Sequence, residues 1–277
     1  MKPTRLILFT ALALAAFAGN SLICRFALQH TRIDAATFTS LRIVAGALCL
    51  GAIGLLRRAG RPAAGSWRSA LPLFIYAASF SFAYLRLSAG TGALVLFAAV
   101  QITMIVWGFV EGERLRPWQA IGFVVAFGGL ILLLLPGLSA PPWQGAALML
   151  AAGIAWGVYS LRGKRTVDPA AATTGNFLRA VPMTAILSLA FLASFRFDST
   201  GAACAIVSGA ITSGLGYIVW YAVLPALRAS TAATVQLIVP VLAAAGGVLF
   251  LGEPPTLRLV SSAVAVLGGI ALVIRKA

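Results

Sequence analysis

Acidic residues are scarce in this 277-residue sequence, which contains six of them beside 21 lysines and arginines. Histidine occurs once, as His30, and cysteine occurs three times, at Cys24, Cys49 and Cys204. An odd number of cysteines in apolar segments, without metal-ligand spacing, favours neither a disulfide framework nor a zinc site. The sequence also lacks the Gly-Lys-Ser/Thr motif of a phosphate-binding loop. We therefore expect a protein without catalytic residues, metal or cofactor.

Charge of either sign is rare, because 10% of the residues are charged, 61% are hydrophobic and the mean hydropathy is +0.99. Soluble domains carry roughly 25% charged residues. Uncharged runs recur, for example over residues 6–23 and 43–56. Such runs are typical of membrane-spanning helices, which need about 20 apolar residues each. Most basic residues lie between these runs, which argues against a nucleic-acid partner and makes the lipid bilayer the expected surroundings.

Charged and turn-forming residues divide the chain into ten predicted spans, at about residues 6–28, 35–56, 69–86, 91–110, 117–135, 142–162, 172–195, 200–224, 230–250 and 255–274. With the N-terminus inside, fourteen lysines and arginines lie at inner ends and five at outer ends. Because lysine and arginine accumulate on the cytoplasmic side, both termini are predicted to be cytoplasmic. The predicted fold class is an all-α integral membrane protein with ten transmembrane helices.

The two halves of the chain share short motifs at a constant offset of 140 residues. The matching pairs are Thr91-Gly92-Ala93 with Thr231-Ala232-Ala233, Gly112-Glu113 with Gly252-Glu253, and Gly128-Gly129 with Gly268-Gly269. Each half has five predicted spans, so the second half enters the membrane from the opposite side. We therefore predict two inverted five-helix repeats, residues 1–137 and 138–277, with a substrate site between them.

Three stretches of the sequence are distinctive, namely residues 215–222 (LGYIVWYA), 249–253 (LFLGE) and 155–159 (AWGVY). They resemble the ten-helix EamA type of the drug/metabolite transporter superfamily. The resemblance extends over essentially the whole chain and implies a carrier of which many relatives export amino acids and related metabolites. The halves also differ, because Val100 stands opposite Pro240 and Ala18 opposite Trp156, which predicts an asymmetric site.

Two arginines, Arg42 and Arg179, lie well inside predicted spans, about seven residues from the start of their helices. A charge inside a membrane span is a functional candidate, and it can also extend to the interface or bond to helix-end carbonyls. The resemblance favours a structural or gating role for both arginines, and contact with the substrate is the alternative. Pro240 is a third gating candidate, because proline interrupts helical hydrogen bonding.

All acidic residues lie at predicted helix ends, and none is placed at mid-membrane to exchange a proton; they are Asp34, Glu111, Glu113, Asp168, Asp198 and Glu253. Glu113 and Glu253 are predicted to close the fourth and ninth spans and to pair with nearby basic residues. This distribution argues against tight proton coupling.

Polar and aromatic side chains within the spans are the candidates for substrate binding. Tyr76 and Phe80 share one face of the third span, because they are four residues apart. A buried amide needs a partner on another helix or in a watery cavity. The predicted binding residues are Asn20, Tyr76, Ser79, Phe80, Gln101, Trp156, Tyr217, Trp220 and Gln236, and helix packing is the alternative for these side chains. Ser208 and Thr212 are predicted to allow close helix packing only.

These features favour a carrier of the bacterial inner membrane that exports neutral or aromatic amino acids and related metabolites by alternating access. One alternative is a sugar-phosphate or other anion exchanger that uses Arg42 or Arg179. Another alternative is a broad-specificity drug exporter. The expected partners are a small-molecule substrate and the lipid bilayer, and the expected assembly is a monomer or a weak dimer.

Overall fold

The computed structural model describes residues 3–56, 64–110, 117–135, 140–163, 166, 168–223, 226 and 235–274. The regular secondary structure of these ranges is helical throughout. The helices are α1 (Pro3–His30), α2 (Ala35–Leu56), α3 (Trp67–Tyr84), α4 (Ala89–Val110), α5 (Pro117–Leu134), α6 (Trp143–Gly163), α7 (Pro169–Ala190), α8 (Ser199–Val223), α9 (Ile238–Leu251) and α10 (Leu257–Ile274). A short 3-10 turn, Leu192–Ser194, follows α7.

Six of the described helices are long and apolar enough to cross a membrane: α1, α2, α4, α5, α6 and α8. Helices α9 and α10 are apolar over shorter lengths, whereas α3 and α7 contain internal prolines, Pro72 and Pro182. The all-helical fold with several candidate spans agrees with the sequence prediction. A total of ten crossings stays a prediction.

Aspartate side chains begin three of the helices. Asp34, Asp168 and Asp198 each accept a hydrogen bond from the backbone N–H three residues later, at 2.9, 3.0 and 2.8 Å. Such caps satisfy N–H groups that have no partner in the first turn of a helix. These acids therefore lie at helix ends as predicted, while Glu111 and Glu113 lie outside the described residues.

Helix α8 changes its winding near its middle. It is α-helical at both ends and π-helical over Ser208–Leu215. A π-helical segment is wider than an α-helix and is frequently found at functional sites. Here it carries Ser208, Thr212 and Ser213, whose hydroxyls form hydrogen bonds with side chains of α1 and α2.

The helices pack in a pattern that recurs between the two halves. Helix α5 packs against α10, α2 against α7 and α4 against α9, so that helices at equivalent places in the two halves are partners. The contacts of α6 with α3 and α4 are likewise matched by contacts of α1 with α8 and α9. This pattern is the one that two similar five-helix units produce when they pack face to face.

A glycine allows α10 to approach the backbone of α5. A Cβ atom on Gly269 would lie 2.5 Å from the backbone nitrogen of Ala126 and 2.5 Å from the backbone oxygen of Gly122. Its neighbour Gly268 has no atom within 4 Å of the corresponding position. Packing therefore requires only one glycine of this Gly-Gly pair.

We expect Gly269→Ala to lower the stability of the carrier and Gly268→Ala to leave it unchanged. The added methyl of the first variant meets backbone atoms that cannot rotate away, and such overpacking costs about 1–3 kcal/mol. Thermal unfolding of the purified variants in detergent measures the difference. Equal melting temperatures for the two variants would contradict this packing.

Candidate functional site

A small chamber lies at the centre of the bundle, between α1, α3, α4, α6 and α8. Its volume is about 20 Å³, which accommodates about one water molecule. We call it the central chamber. Its wall combines aromatic rings with hydroxyl and amide groups, and consists of Phe17, Asn20, Ser21, Tyr76, Phe80, Leu96, Phe97, Trp156, Thr212 and Tyr217.

Trp156 is the centre of the aromatic wall. The centroid of its ring lies 4.8 Å from that of Tyr76 and 4.9 Å from that of Tyr217. Phe17 contacts Trp156 edge-on at 6.4 Å and contacts Trp220 at 5.9 Å. Because aromatic pairs at these distances stabilise each other's orientation, the rings form one connected aromatic wall.

Asn20 joins the polar groups of the chamber. Its Nδ2 donates to the hydroxyl of Tyr76 at 3.3 Å. Its Oδ1 accepts from Ser208 Oγ at 2.7 Å and from Thr212 Oγ1 at 3.2 Å. The amide is thus satisfied at both ends, as a buried amide requires, and it links α1 to α3 and to the π-helical segment of α8.

The guanidinium of Arg42 lies against Tyr76 and Phe80. Arg42 is 1% exposed, and its Nε and Nη2 donate to Ser213 Oγ at 3.3 and 3.2 Å. Nη2 also donates to the Tyr76 hydroxyl at 3.2 Å. Cζ lies 5.3 Å from the ring centroid of Tyr76 and 5.0 Å from that of Phe80, within the range of cation–π attraction. A fully buried positive charge therefore adjoins the central chamber.

Glycines bring α2 and α8 together at Arg42. A Cβ atom on Gly209 would collide with the backbone oxygen of Arg42, and one on Gly46 would lie 2.5 Å from the ring of Phe177. Neither position therefore has room for a side chain. The close approach of the two backbones brings Ser213 within hydrogen-bonding distance of the guanidinium.

A larger cavity of about 530 Å³ opens at one end of the bundle, and we call it the vestibule. It lies between the ends of α4, α6 and α8 and the beginnings of α3 and α7, and its lining includes Asn176 and Arg162. Arg162 Nε donates to Ser69 Oγ at 3.0 Å. Tyr159 also lines the vestibule, and its ring lies 5.5 Å from that of Trp156. This aromatic pair separates the vestibule from the central chamber.

A salt bridge ties helix ends together at the opposite end of the bundle. Arg25 Nε lies 3.0 Å from Glu253 Oε1, and the two side chains are only 14% and 11% exposed. Arg25 Nη1 donates to the backbone oxygen of Tyr84 at 2.9 Å, and Glu253 Oε2 accepts from the backbone N–H of Ala89 at 2.8 Å. The predicted pairing of Glu253 with a nearby base is confirmed, and Glu113 lies outside the described residues.

The structure brings five of the predicted binding residues to the central chamber, namely Asn20, Tyr76, Phe80, Trp156 and Tyr217. Trp220 lies one ring further away, against Phe17. Gln101 is buried on α4, and its Nε2 has no partner among the described residues. Ser79 is partly buried, and neither Ser79 nor Gln236 is part of the chamber lining.

Arg179 has different surroundings from Arg42, although their sequence contexts are similar. Its Nη1 donates to the backbone oxygens of Gly175 at 2.9 Å and Ala64 at 3.2 Å. These bonds connect the first turns of α7 to the segment that precedes α3. Arg179 therefore contacts backbone, whereas Arg42 contacts side chains of the chamber.

Pro240 lies in the first turn of α9. The turn residue Leu237 separates helix α9 from the preceding helical residue Gln236. Because proline lacks an N–H, it cannot bond to the carbonyl of residue 236 in a continuous helix. The missing N–H of Pro240, a predicted gating residue, therefore explains why the helix is interrupted at Leu237.

The sequence analysis missed Phe17 and Thr212, which line the chamber, and Ser208, which bonds to the lining residue Asn20. Phe17 immediately precedes Ala18, so comparison with Trp156 at a shift of one position would have found the aromatic match. Ser208 and Thr212 have the spacing of close helix packing, and their partner Asn20 lies 188 and 192 residues away in the chain. No local signal indicates those hydrogen bonds.

Apolar spans, matched helix pairs in the two halves and a polar and aromatic chamber between them define a multi-pass membrane transporter. The sequence matches the EamA-like transporter family over residues 4–135 and again over residues 143–275. The chain belongs to the EamA-like transporter family, which confirms the resemblance found in the sequence.

Three relatives illustrate the range of similarity. An uncharacterized protein of Pseudomonas aeruginosa is 55% identical over 275 residues, which are 99% of this chain and 96% of the relative. The threonine/homoserine exporter RhtA of Escherichia coli is 32% identical over 219 residues, 74% of this chain and 72% of the relative. A probable amino-acid metabolite efflux pump of Salmonella typhimurium is 26% identical over 197 residues, 66% of each chain. These matches support a small-solute exporter.

The fold is similar to that of a protein of known crystal structure. The TM-score is 0.69 over 97% of this chain and 96% of the other, at 19% sequence identity. At that identity the likeness describes the fold alone.

Proposed function

We propose that the protein is a secondary carrier that exports neutral or aromatic amino acids and related metabolites by alternating access. The observation that carries the proposal is the central chamber, where aromatic rings in tilted and edge-on contact lie beside hydroxyl and amide groups. Such a wall suits a solute with an apolar side chain and a polar head. Two relatives named as exporters of threonine and homoserine and of amino-acid metabolites support this solute class.

The distribution of basic residues supports the orientation of the carrier in the membrane. The vestibule lies at the end where the sequence places most lysines and arginines, and positive charge marks the cytoplasmic side. In the proposed orientation the vestibule loads solute from the cytoplasm, both termini are cytoplasmic, and the Arg25–Glu253 salt bridge closes the outer side. The host membrane is proposed to be the bacterial inner membrane.

The recurring helix contacts support alternating access. Two inverted repeats, proposed as residues 1–137 and 138–277, can exchange conformations so that the chamber opens to one side and then to the other. The end with the vestibule is open and the end with the salt bridge is closed. This is the arrangement expected of one of the two conformations.

Flux into proteoliposomes tests the proposed substrate class. Purified carrier should transport labelled neutral or aromatic amino acids in preference to nucleosides and sugar phosphates. Trp156→Ala should lower that flux about tenfold, because the ring contacts three other chamber rings, those of Phe17, Tyr76 and Tyr217, and each such pair contributes about 0.5–1.5 kcal/mol. Trp143→Ala is the matched control, because Trp143 is 74% exposed, and it should retain normal flux.

Exchange of phosphorylated sugars without amino-acid flux would overturn the proposed substrate. Equal loss of flux in the Trp143 and Trp156 variants, at equal expression, would show that transport does not depend on the central chamber.

A further inference from the structure

Arg42 carries a positive charge that the described part of the chain does not neutralise. Its hydrogen-bond partners are the hydroxyls of Ser213 and Tyr76. The salt bridge of the described residues joins Arg25 to Glu253 and does not involve Arg42. A buried charge is costly inside a membrane protein unless an opposite charge accompanies it. Hydroxyls and ring faces carry no net charge, so the guanidinium remains a receptor for an anion.

Hydrogen-bond donors beside the central chamber also lack acceptors. Nη1 of Arg42 has no partner among the described residues, and the hydroxyl of Tyr217 lies near that of Tyr76 without a hydrogen bond of good geometry. The hydroxyl oxygen of Tyr76 already accepts bonds from Asn20 and Arg42, which fills the two acceptor positions of a phenol. Because a buried donor without a partner costs free energy, this wall favours a ligand that supplies acceptor oxygens.

A carboxylate matches this combination of charge and donors. It has one negative charge for one guanidinium, and it has two oxygens that accept charge-assisted hydrogen bonds. A phosphate ester carries up to about two negative charges, so a lone guanidinium leaves part of its charge unpaired. A simple cation is repelled by Arg42. The faces of Trp156 and Tyr217 can hold an ammonium group or an apolar side chain.

We infer that Arg42 is the residue that binds the carboxylate of the substrate, with Nη1 and the Tyr217 hydroxyl as the donors. The chamber then selects small monocarboxylates, α-amino acids among them, over the corresponding amides and amines. This inference rests on the proposed transport function and deepens it by naming the chemical group that the site recognises.

Four related compounds test the inference on the full-length purified carrier. Phenylalanine has both groups, phenylalaninamide lacks the carboxylate charge, phenylacetate lacks the ammonium and phenethylamine lacks the carboxylate. Binding is measured as ligand-dependent thermal stabilisation in detergent, and labelled phenylalanine also reports flux into proteoliposomes. Phenylalanine and phenylacetate should bind at least about tenfold more tightly than the amide and the amine, because hydrogen bonds to charged groups are the strong ones.

Arg42→Gln should abolish the preference for carboxylates, and Arg42→Lys should retain part of it. Arg179→Gln is the matched control, because Arg179 bonds to backbone oxygens, and it should keep the full preference. If Arg42→Gln does not fold, Arg42→Lys decides the question, because a reduced carboxylate preference supports the role of Arg42 and a full preference contradicts it.

The outcomes separate the inference from the proposed function. Carboxylate binding without flux of any labelled amino acid overturns the proposed function and leaves the role of Arg42 intact. Equal binding of phenylalanine and phenylalaninamide, or no binding of either carboxylate, overturns the role of Arg42 whatever the flux.

Discussion

Glu253→Gln should make the buried thiol of Cys24 reactive and should reduce transport. Cys24 precedes Arg25 on α1 and is 0% exposed, while the Arg25–Glu253 salt bridge ties the nearby helix ends together. Removing the carboxylate charge weakens a bond worth about 1.5–3 kcal/mol. The population open at that end should therefore rise about tenfold or more, and a carrier that does not close there cannot complete its cycle.

The rate of thiol labelling in proteoliposomes measures this opening. A background with Cys49→Ser and Cys204→Ser leaves Cys24 as the remaining cysteine of three. Arg25→Gln should give the same increase as Glu253→Gln, and the double variant should add little, because both changes remove one interaction.

Asp198→Asn is the control for this measurement. Asp198 is an acid at the start of α8 that accepts from the backbone N–H of Gly201, and asparagine caps a helix as well as aspartate does. Labelling of Cys24 should not change in this variant. An unchanged labelling rate in Glu253→Gln, or an equal rise in Asp198→Asn, would show that the salt bridge does not close this end.

Gly209→Ala should destabilise the carrier and abolish transport. A methyl at this position meets the backbone oxygen of Arg42, so α2 and α8 must separate. Overpacking against backbone costs about 1–3 kcal/mol and occasionally more. The separation also moves Ser213 away from the guanidinium, which removes two hydrogen bonds of a buried charge.

Gly51→Ala is the matched control on α2, because nothing lies within 4 Å of its added methyl. Melting temperature and flux should both remain normal in this variant. A normal melting temperature in Gly209→Ala would show that the two helices do not depend on this contact for stability, and normal flux would show that the placement of Arg42 is not critical.

Much of the fold could be predicted from the composition of the sequence and from its pattern of apolar and charged residues. Uncharged runs of about 20 residues predict spanning helices because the hydrocarbon core of a bilayer has a fixed thickness. Aspartates before α2, α7 and α8 are recognisable as helix starts because their side chains satisfy free N–H groups. The repeated Gly-Gly pair is visible in the sequence, but the sequence does not show that Gly269 faces α5 while Gly268 does not.

Only part of the candidate site could be predicted from the sequence. Aromatic residues at helical spacing, such as Tyr76 and Phe80, reach the chamber because spacing alone fixes their shared face. The different environments of Arg42 and Arg179 depend on which helices pack beside them. The residues that neighbour each arginine in the sequence do not indicate those helices. The hydroxyls of α8 reach Asn20 through a π-helical segment, which no composition rule indicates at this position.

The hydrogen-bond donors around the Tyr76 hydroxyl affect whether protons can leak through the carrier. A proton moves through a channel by passing along groups that can both accept and donate hydrogen bonds. At the Tyr76 hydroxyl both acceptor positions are filled, and the adjacent guanidinium repels a hydronium ion, as a positive charge does in water-conducting pores. We therefore expect the chamber to interrupt any proton wire. Solute can then leave the cell while the electrochemical proton gradient across the same membrane is preserved.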